Sequence, residues 1–582
     1  MSAQGAIDRP GDGEQGADSG GGDRAHVTHR GHAPAAPVGG PGLPVGPKPM
    51  PRRFHQASWD EPIIFELSTP GARGVLLPEV EAGIRGRVGD PVAALPEGVR
   101  RATPPALPEL AQLHVLRHYA RLSQENLGVD LNIDVGQGTC TMKYSPKVND
   151  QLVRSHRMAD LHPLQDESTV QGMLEIAWRL ERILAEISGM DRVTLQPGAG
   201  SAAIWANVSM VRAYHAARGE GGRRDEVVTT IFSHPSNAAA AKVAGYRVIT
   251  LHPDPVLGRP TLDALKAAVS DRTAALLITN PEDTGIYNPE IDEFVRIVHA
   301  AGGLAVYDQA NANGILGVTR ARDAGFDLCH FNLHKTFSTP HGCGGPAAGA
   351  CGVTADLAPF LPRPTIERDG GRFFLDDDRP LSIGKVRPWY GVAPNVVRAY
   401  AWAMSLGAEG LREVAEIAVL NNNYLAQRVL DIRGASAPYE PGARRLEQVR
   451  YSWERLAEDT GVHSDELGVR AADFGTHYWT SHHPFVVPEP MTLEPTESYS
   501  RADLDEYAAI LRTVANEAYE TPEVVRTAPH RSTVHRTDGE PLDVPERWAI
   551  TWRAYRRKYF GEGTQAVADP APVAPRGDPG GG

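Results

Sequence analysis

Between residues 226 and 335, short apolar runs alternate with stretches of helical spacing, and this alternation constrains the fold of the chain. The runs are Val227-Val228-Thr229-Thr230-Ile231-Phe232, Arg247-Val248-Ile249-Thr250-Leu251, Ala274-Ala275-Leu276-Leu277-Ile278, Gly303-Leu304-Ala305-Val306-Tyr307 and Asp327-Leu328-Cys329-His330-Phe331-Asn332-Leu333. Helical spacing separates them, as in Ile291 to Ala300. Strands joined through helices run mainly parallel, and the helices cover both faces of the sheet. In such a sheet the strand carboxyl ends line the ligand crevice. Two runs close there on reactive groups: Asp308 follows Tyr307, and Lys335 follows His334.

At 582 residues the chain is too long for one compact core. Residues 1–50 and 563–582 carry Gly, Pro, Ala and charge without periodicity, so they are expected to be disordered tails. Residues 51–130 form an N-terminal extension with helical patterns such as Leu110 to Tyr119. Residues 131–385 hold the alternating pattern and are expected to be the large domain. Inside it, Val170, Met173, Leu174, Ala177, Leu180, Ile183, Leu184 and Ile187 are spaced for one buried helical stripe between Thr169 and Ser188. From about 386 to 562 a long helix, Asn395 to about Leu430, precedes mixed short elements, and a smaller α+β domain is expected. The net charge of −13 argues against non-specific binding to nucleic acid or to an anionic membrane. No apolar run is long enough to span a bilayer, and the N-terminus has no signal-type stretch. The four cysteines match no zinc spacing and make a poor disulfide framework, so no metal site and a reducing cytoplasm are expected.

A lysine and an acid at strand carboxyl ends meet the needs of pyridoxal phosphate (PLP) chemistry. The amine holds the cofactor aldehyde as a Schiff base, and the carboxylate keeps the pyridine nitrogen protonated. Taken alone, each residue reads first as a surface lysine after a buried strand or an acidic helix cap; the pair, with the glycine-rich tail that follows, turns the reading to cofactor chemistry. Four further segments bear on the site. Gln196-Pro197-Gly198-Ala199-Gly200-Ser201-Ala202-Ala203 opens a helical run, and is either a phosphate cradle or a tight turn. Ser233-His234-Pro235 follows a strand, where the imidazole either stacks on the cofactor ring or is an ordinary histidine. Thr279-Asn280-Pro281 offers a hydroxyl for the ring oxygen, or a turn. Thr339-Pro340-His341-Gly342-Cys343-Gly344-Gly345-Pro346 is too rich in glycine for a core and reads as a loop approaching cofactor or substrate. Cys140, with Lys143 nearby, is either a thiol of lowered pKa or a small buried hydrophobe.

Collinear motifs carry a family resemblance. They are Leu107-Pro108-Glu109, Arg117-His118-Tyr119-Ala120-Arg121-Leu122-Ser123-Gln124, Cys140-Thr141-Met142-Lys143-Tyr144, Leu161-His162-Pro163 and Thr169-Val170-Gln171-Gly172. They continue through Asn332-Leu333-His334-Lys335-Thr336-Phe337-Ser338-Thr339-Pro340-His341-Gly342, Ser382-Ile383-Gly384, Glu494-Pro495-Thr496-Glu497 and Ala528-Pro529-His530. Over roughly residues 60 to 560 the chain resembles the second subunit of glycine dehydrogenase (decarboxylating), the P-protein of the glycine cleavage system. The resemblance implies an α/β PLP fold of type I with a mainly parallel, seven-stranded-type sheet. It implies a glycine decarboxylase that releases CO2 and passes the aminomethyl group to the lipoyl arm of the H-protein. It also implies an oligomer, with the family's first subunit or with further copies of the chain. By matching position, Lys335 is the Schiff-base lysine, Asp308 the pyridinium partner, Ala310 the residue under the ring and His234 the residue over it. Thr279, Gly200, Ser201 and His334 complete the expected cofactor-binding set, and Lys335 and His234 are the expected catalytic residues.

The chain departs from the family beside the cofactor. Gly200-Ser201-Ala202-Ala203-Ile204 stands where the family has a loop with a polar residue and an acid. His234-Pro235-Ser236-Asn237-Ala238, Gln309 and Cys343 are further departures. Two alternatives to glycine decarboxylation follow: a diverged PLP enzyme acting on another small amino acid, and a non-catalytic partner subunit. Lys335 and Asp308 both speak against the second.

Overall fold

Apolar residues that alternate along each strand are divided between two cores, one on each face of a single sheet. Leu276 and Ile278 pack on one face with Tyr307 and Phe331, while Ala275 and Leu277 pack on the other with Val306 and Leu328. The computed structural model describes residues 51–533 and 536, apart from 104, 139–142, 163, 341–346, 389–390, 477 and 479–485. The expectations for both tails, for Cys140 and for the His341–Pro346 loop with Cys343 lie outside the described residues.

The sheet has seven strands: β1 (Arg192–Thr194), β2 (Glu226–Thr230), β3 (Arg247–Leu251), β4 (Thr273–Thr279), β5 (Leu304–Gln309), β6 (Leu328–Asn332) and β7 (Gly349–Val353). Their order is β1-β7-β6-β5-β4-β2-β3. The five strands expected from the sequence pair in parallel, and β7 runs antiparallel to both β6 and β1. Two boundaries differ from expectation. Ile231 and Phe232 fall after the end of β2, and β6 ends at Asn332, so His334 and Lys335 lie in the short helix Leu333–Thr336.

Helix Gln171–Ser188 buries Met173, Leu174, Ala177, Leu180 and Leu184 of the expected stripe, with Ile183 and Ile187 half-buried at its margin. It ends at Gly189, whose φ of 71° is the left-handed conformation that closes a helix without a side-chain clash. Helix Ile291–Ala300 covers the same face, while helices Gly200–Ala217 and Pro235–Val243 cover the opposite one. The long helix Ala393–Leu430 breaks at Gly407, where φ is 66°, so one end packs on the sheet and the other enters a third core. That core gathers Leu425, Val449, Tyr451, Met491, Leu493, Tyr507 and Leu511 around the antiparallel pair β10 (Val449–Ser452) and β11 (Pro490–Leu493). The hairpin β8 (Thr365–Asp369) and β9 (Arg372–Asp376) packs against helix Gln171–Ser188. Among the described residues, no helix is long and apolar enough to cross a membrane.

Candidate active site

The register of the sheet brings the reactive residues together. Thr279 of β4 lies opposite Asp308 of β5, and Asp308 lies opposite His330 of β6. A hydroxyl, a carboxylate and an imidazole therefore lie side by side across three adjacent parallel strands, the first two at the carboxyl ends of β4 and β5 and the third midway along β6, with Lys335 one short turn beyond β6. Lys335 is 6% exposed and Asp308 3%, so both groups are withdrawn from bulk water.

Asp308 is held at both oxygens. Its Oδ1 accepts the Ala310 amide N–H at 3.0 Å and lies 3.2 Å from His330 Nε2, and its Oδ2 accepts the Asn237 side-chain amide at 3.0 Å. Burial pushes this carboxyl up, but His330, the Ala310 amide, Lys335 and His234 outweigh it and hold Asp308 below the ordinary carboxylate value. His330 moves the other way: burial lowers it, and Asp308 only partly restores it. The two shifts thus favour the charged form of the carboxyl and the uncharged form of the imidazole. His330 and Asn237 were not singled out in the sequence. The available signal was a histidine inside an apolar strand, which needs a buried partner.

The expected residues occupy distinct positions. His234 caps helix Pro235–Val243, its Nδ1 accepting the Ser236 amide at 3.1 Å, and its ring is half-buried and electrostatically coupled to Asp308. Ala310 is buried in the turn after β5. The turn is tied to the lysine segment by Ala312 N–H donating to Thr336 Oγ1 at 2.9 Å. Thr279 Oγ1 lies 3.4 Å from Ser233 Oγ. His334 is buried, with Nδ1 2.9 Å from the Ala348 carbonyl oxygen. Gly200 begins its helix against Asn332, and a Cβ there would sit 2.5 Å from the Asn332 side-chain nitrogen. Ser201, the next residue, is exposed.

This helix start carries no side-chain cap, so its amides are free for another acceptor. The Arg387 guanidinium fills the space that a side chain at Gly198 would need, which adds positive charge at the same end. Of the departures, Ile204 is fully buried in the core below the helix, and the Gln309 Oε1 is buried without a hydrogen-bond partner.

The C-terminal region closes on the same loops. Glu494, following β11, accepts from Asn311 Nδ2 and Asn313 Nδ2, each at 2.7 Å. Burial pushes Glu494 up to about 7, against the two amides and the charges of Lys335 and Lys143. Glu447 is pushed up to about 8 by burial and by Glu494, and its Oε2 is buried against Gly314 without a hydrogen-bond partner. The two carboxyls therefore hold at least one proton at neutral pH. Lys143 lies 3.0 Å from Glu497 Oε2 and 4.9 Å above the Trp402 ring. A separate cavity of about 440 Å³, lined by residues including Asn132, Phe474 and Tyr499, contains none of the residues around Lys335. Converging chemistry, rather than cavity volume, marks the site. Among the described residues, no cluster of three or more His, Cys, Asp or Glu is placed to hold a metal ion.

The chain is similar to known proteins. The family described as glycine dehydrogenase, C-terminal domain, matches residues 414–534, and aminotransferase class-V matches residues 207–345. The probable glycine dehydrogenase (decarboxylating) subunit 2 of Pyrococcus horikoshii is 45% identical over 505 residues, covering 86% of this chain and 98% of the relative. The protein of the same name from Halalkalibacterium halodurans is 43% identical, covering 82% of this chain and 96% of the relative. A solved glycine decarboxylase (P-protein) of the glycine cleavage system, in inhibitor-bound form, superposes with a TM-score of 0.64 at 20% identity. It covers 76% of this chain and 100% of that one. A NifS-like protein superposes with a TM-score of 0.51 at 16% identity, covering 66% of this chain and 99% of that one. At these identities the two structures establish a shared fold.

Proposed function

Because the chain belongs to the glycine dehydrogenase (decarboxylating) subunit 2 family, we propose that its crevice binds pyridoxal phosphate and decarboxylates glycine. The observation that carries this reading is the convergence of Lys335, Asp308 held towards its charged form and His330 on the neighbouring strand. The residues present fit the cofactor. Gly200 leaves no room for a Cβ against Asn332, whose Oδ1 is buried without a hydrogen-bond partner, and uncapped amides and Arg387 face the same end. Bound there, the pyridine ring supplies an electron sink for the pair released at the substrate α-carbon.

The chain's own residues do the rest. Lys335 provides the amine that binds the aldehyde. Asp308 would hold the protonated ring nitrogen, and His330, whose Nε2 lies 3.2 Å from its Oδ1, would keep that carboxylate oriented. Ala310 and His234 would hold the two faces of the ring. The start of helix Gly200–Ala217, with Ser201 at its first turn, would hold the phosphate and Thr279 the ring oxygen, while His334 steadies the lysine turn. The released group is CO2, and the aminomethyl group passes to a lipoyl H-protein, with a first subunit as the companion chain. The relatives' designation as subunit 2 supports such a companion.

Reconstitution with PLP tests the reading. An absorbance band near ~420 nm, lost on borohydride treatment, is expected, with the pyridoxyl label on Lys335 by mass spectrometry. A label on another lysine refutes the site. Glycine–bicarbonate exchange with a matched H-protein and first subunit tests the reaction. The unpartnered Gln309 Oε1, on β5 beside Asp308, favours one second reading, a different small amino acid as substrate. CO2 release from such an amino acid in preference to glycine would establish it.

A further inference from the structure

Behind Thr279 a line of hydroxyl groups leads away from the crevice into the protein. Thr279 Oγ1 approaches Ser233 Oγ at 3.4 Å, Ser233 Oγ lies 2.7 Å from Thr230 Oγ1, and Thr230 Oγ1 meets Glu282 Oε1. Ser233, Thr230 and Glu282 are all buried, and the second carboxyl oxygen of Glu282 is buried without a hydrogen-bond partner. The line joins the turn after β2, which carries Ser233 and His234, to Thr279 at the end of β4 and to Glu282 in the turn beyond it. The Glu282 main chain is fixed independently, since its carbonyl accepts from Gly285 N–H at 2.8 Å and Gln448 Nε2 at 3.2 Å.

We infer that Glu282 is a positioning residue which sets, through Thr230 and Ser233, whether Thr279 turns its hydroxyl proton towards the crevice or away from it. Each hydroxyl has one proton to give. When Glu282 is ionised it only accepts, so Thr230 donates to it, Ser233 donates to Thr230 and Thr279 donates to Ser233. Thr279 then presents only lone pairs to the crevice. When Glu282 is protonated it donates to Thr230, every link reverses, and Thr279 is free to donate to an anionic oxygen. The three hydroxyls keep their protons and only turn; one proton taken from or released to solvent at Glu282 reverses the polarity of the line. Thr279 then stabilises a phenolate-type oxygen in one state and repels it in the other.

The surroundings favour the protonated state. Burial pushes Glu282 up to about 8, the Thr230 hydroxyl opposes this, Asp283 adds to it and Arg450 partly offsets it. Arg450, buried on β10, is engaged by Asp283 and lies 5.2 Å over the Phe232 ring, so its charge is shared.

The assignment rests on the proposal that PLP occupies the crevice with its ring oxygen at Thr279, and the test separates the two. In the cofactor-free protein, infrared titration is expected to show a carboxylic-acid C=O stretch that is absent in Glu282→Gln and fades as pH rises through about 8. Thr230→Val, which removes a donor to the carboxylate, is expected to move that midpoint upward. In the PLP-loaded protein, the visible band is expected to respond to pH with the same midpoint. That response is expected to be lost in Glu282→Gln, and lost in Ser233→Ala while Glu282 still titrates in the infrared. A merely structural role would change melting temperature or PLP affinity without uncoupling the two titrations. No Glu282-dependent acid band at neutral pH would overturn the inference. So would a normal visible band whose titration is unchanged in both variants. A protein that forms no visible band with PLP would refute the cofactor reading, and the relay with it.

Discussion

Replacing Glu447 by Gln should make the protein more stable in alkaline solution, with little change in acid. Glu447 is 1% exposed, its Oε2 has no hydrogen-bond partner, and Glu494 is a second buried carboxyl beside it. Burial and Glu494 push its carboxyl up to about 8, from an ordinary value of 4.5. Between those values the folded chain holds a proton that the unfolded chain has released, so stability falls as pH rises. The contribution is fully present below about pH 4.5 and gone above about pH 8. At about 1.4 kcal/mol per pH unit, the window amounts to at most about 5 kcal/mol. Glutamine keeps the shape and carries no titrating proton, so it removes this slope. With an unfolding entropy of about 2 cal/mol/K per residue, roughly 500 ordered residues give about 1 kcal/mol/K, so the gain is about 5 °C in Tm. Scanning calorimetry at matched rates, from about pH 5 to about pH 9, is the assay. Wild-type and variant Tm curves that stay parallel across that range would refute the reasoning, because the proton would then lie elsewhere.

Asp308→Asn should still bind PLP but lose about a thousandfold or more in glycine–bicarbonate exchange, since a neutral amide no longer favours the protonated ring nitrogen; a rate within about tenfold of wild type would remove Asp308 from that role. Gly200→Ala places a methyl group 2.5 Å from the Asn332 side-chain nitrogen. Overpacking of this kind costs about 1–3 kcal/mol, so equilibrium dialysis should show PLP binding weakened by about tenfold or more, and unchanged affinity would mean that Asn332 yields freely. Gly391→Ala meets the Leu195 carbonyl at a φ of 90°, so a loss of about 3 kcal/mol or more in denaturant stability is expected; a midpoint equal to wild type would show that the backbone relaxes.

The parallel strands were legible because each is a short apolar run between stretches of helical spacing, and all but the edge strand β3 are buried along almost their whole length, which requires a covered sheet whatever its partners. The antiparallel pair on the other side of β6 was not. β1 has three residues, and β7 reads Gly349-Ala350-Cys351-Gly352-Val353, with a single β-branched side chain. Its identity as a strand comes from the neighbours it bonds to. The site divides in the same way. Lys335 and Asp308 could be read because strand ends are where an α/β sheet does its chemistry. His330, Asn237 and Glu494 could not, since each acquires its function from a partner distant in sequence: Asn237 meets Asp308 across 71 positions, and Glu494 meets Asn311 across 183. Ile204 reads in the sequence as the loss of an acid near the cofactor, and in the fold it is a fully buried core residue. Only the direction in which the helix faces separates those meanings.

Two glycines on the crevice loops have a consequence for how such a chain can be divided or recombined. Gly285 leaves room for the Gln448 carbonyl and Gly314 leaves room for Glu447, so the missing side chains are voids shaped for one particular segment of the second half. Leu446 N–H bonds to the Gly285 carbonyl at 2.9 Å, and Arg450 pairs with Asp283 beside it. A fragment ending before this segment would keep Lys335 and every strand of the large sheet, yet leave Asn311 and Asn313 without the carboxylate that orders them. Grafting in the corresponding half of a distant homologue would present the wrong backbone to the same two voids. The halves are interlocking castings from one mould, and a change to the 445–450 segment is a change to the floor of the crevice.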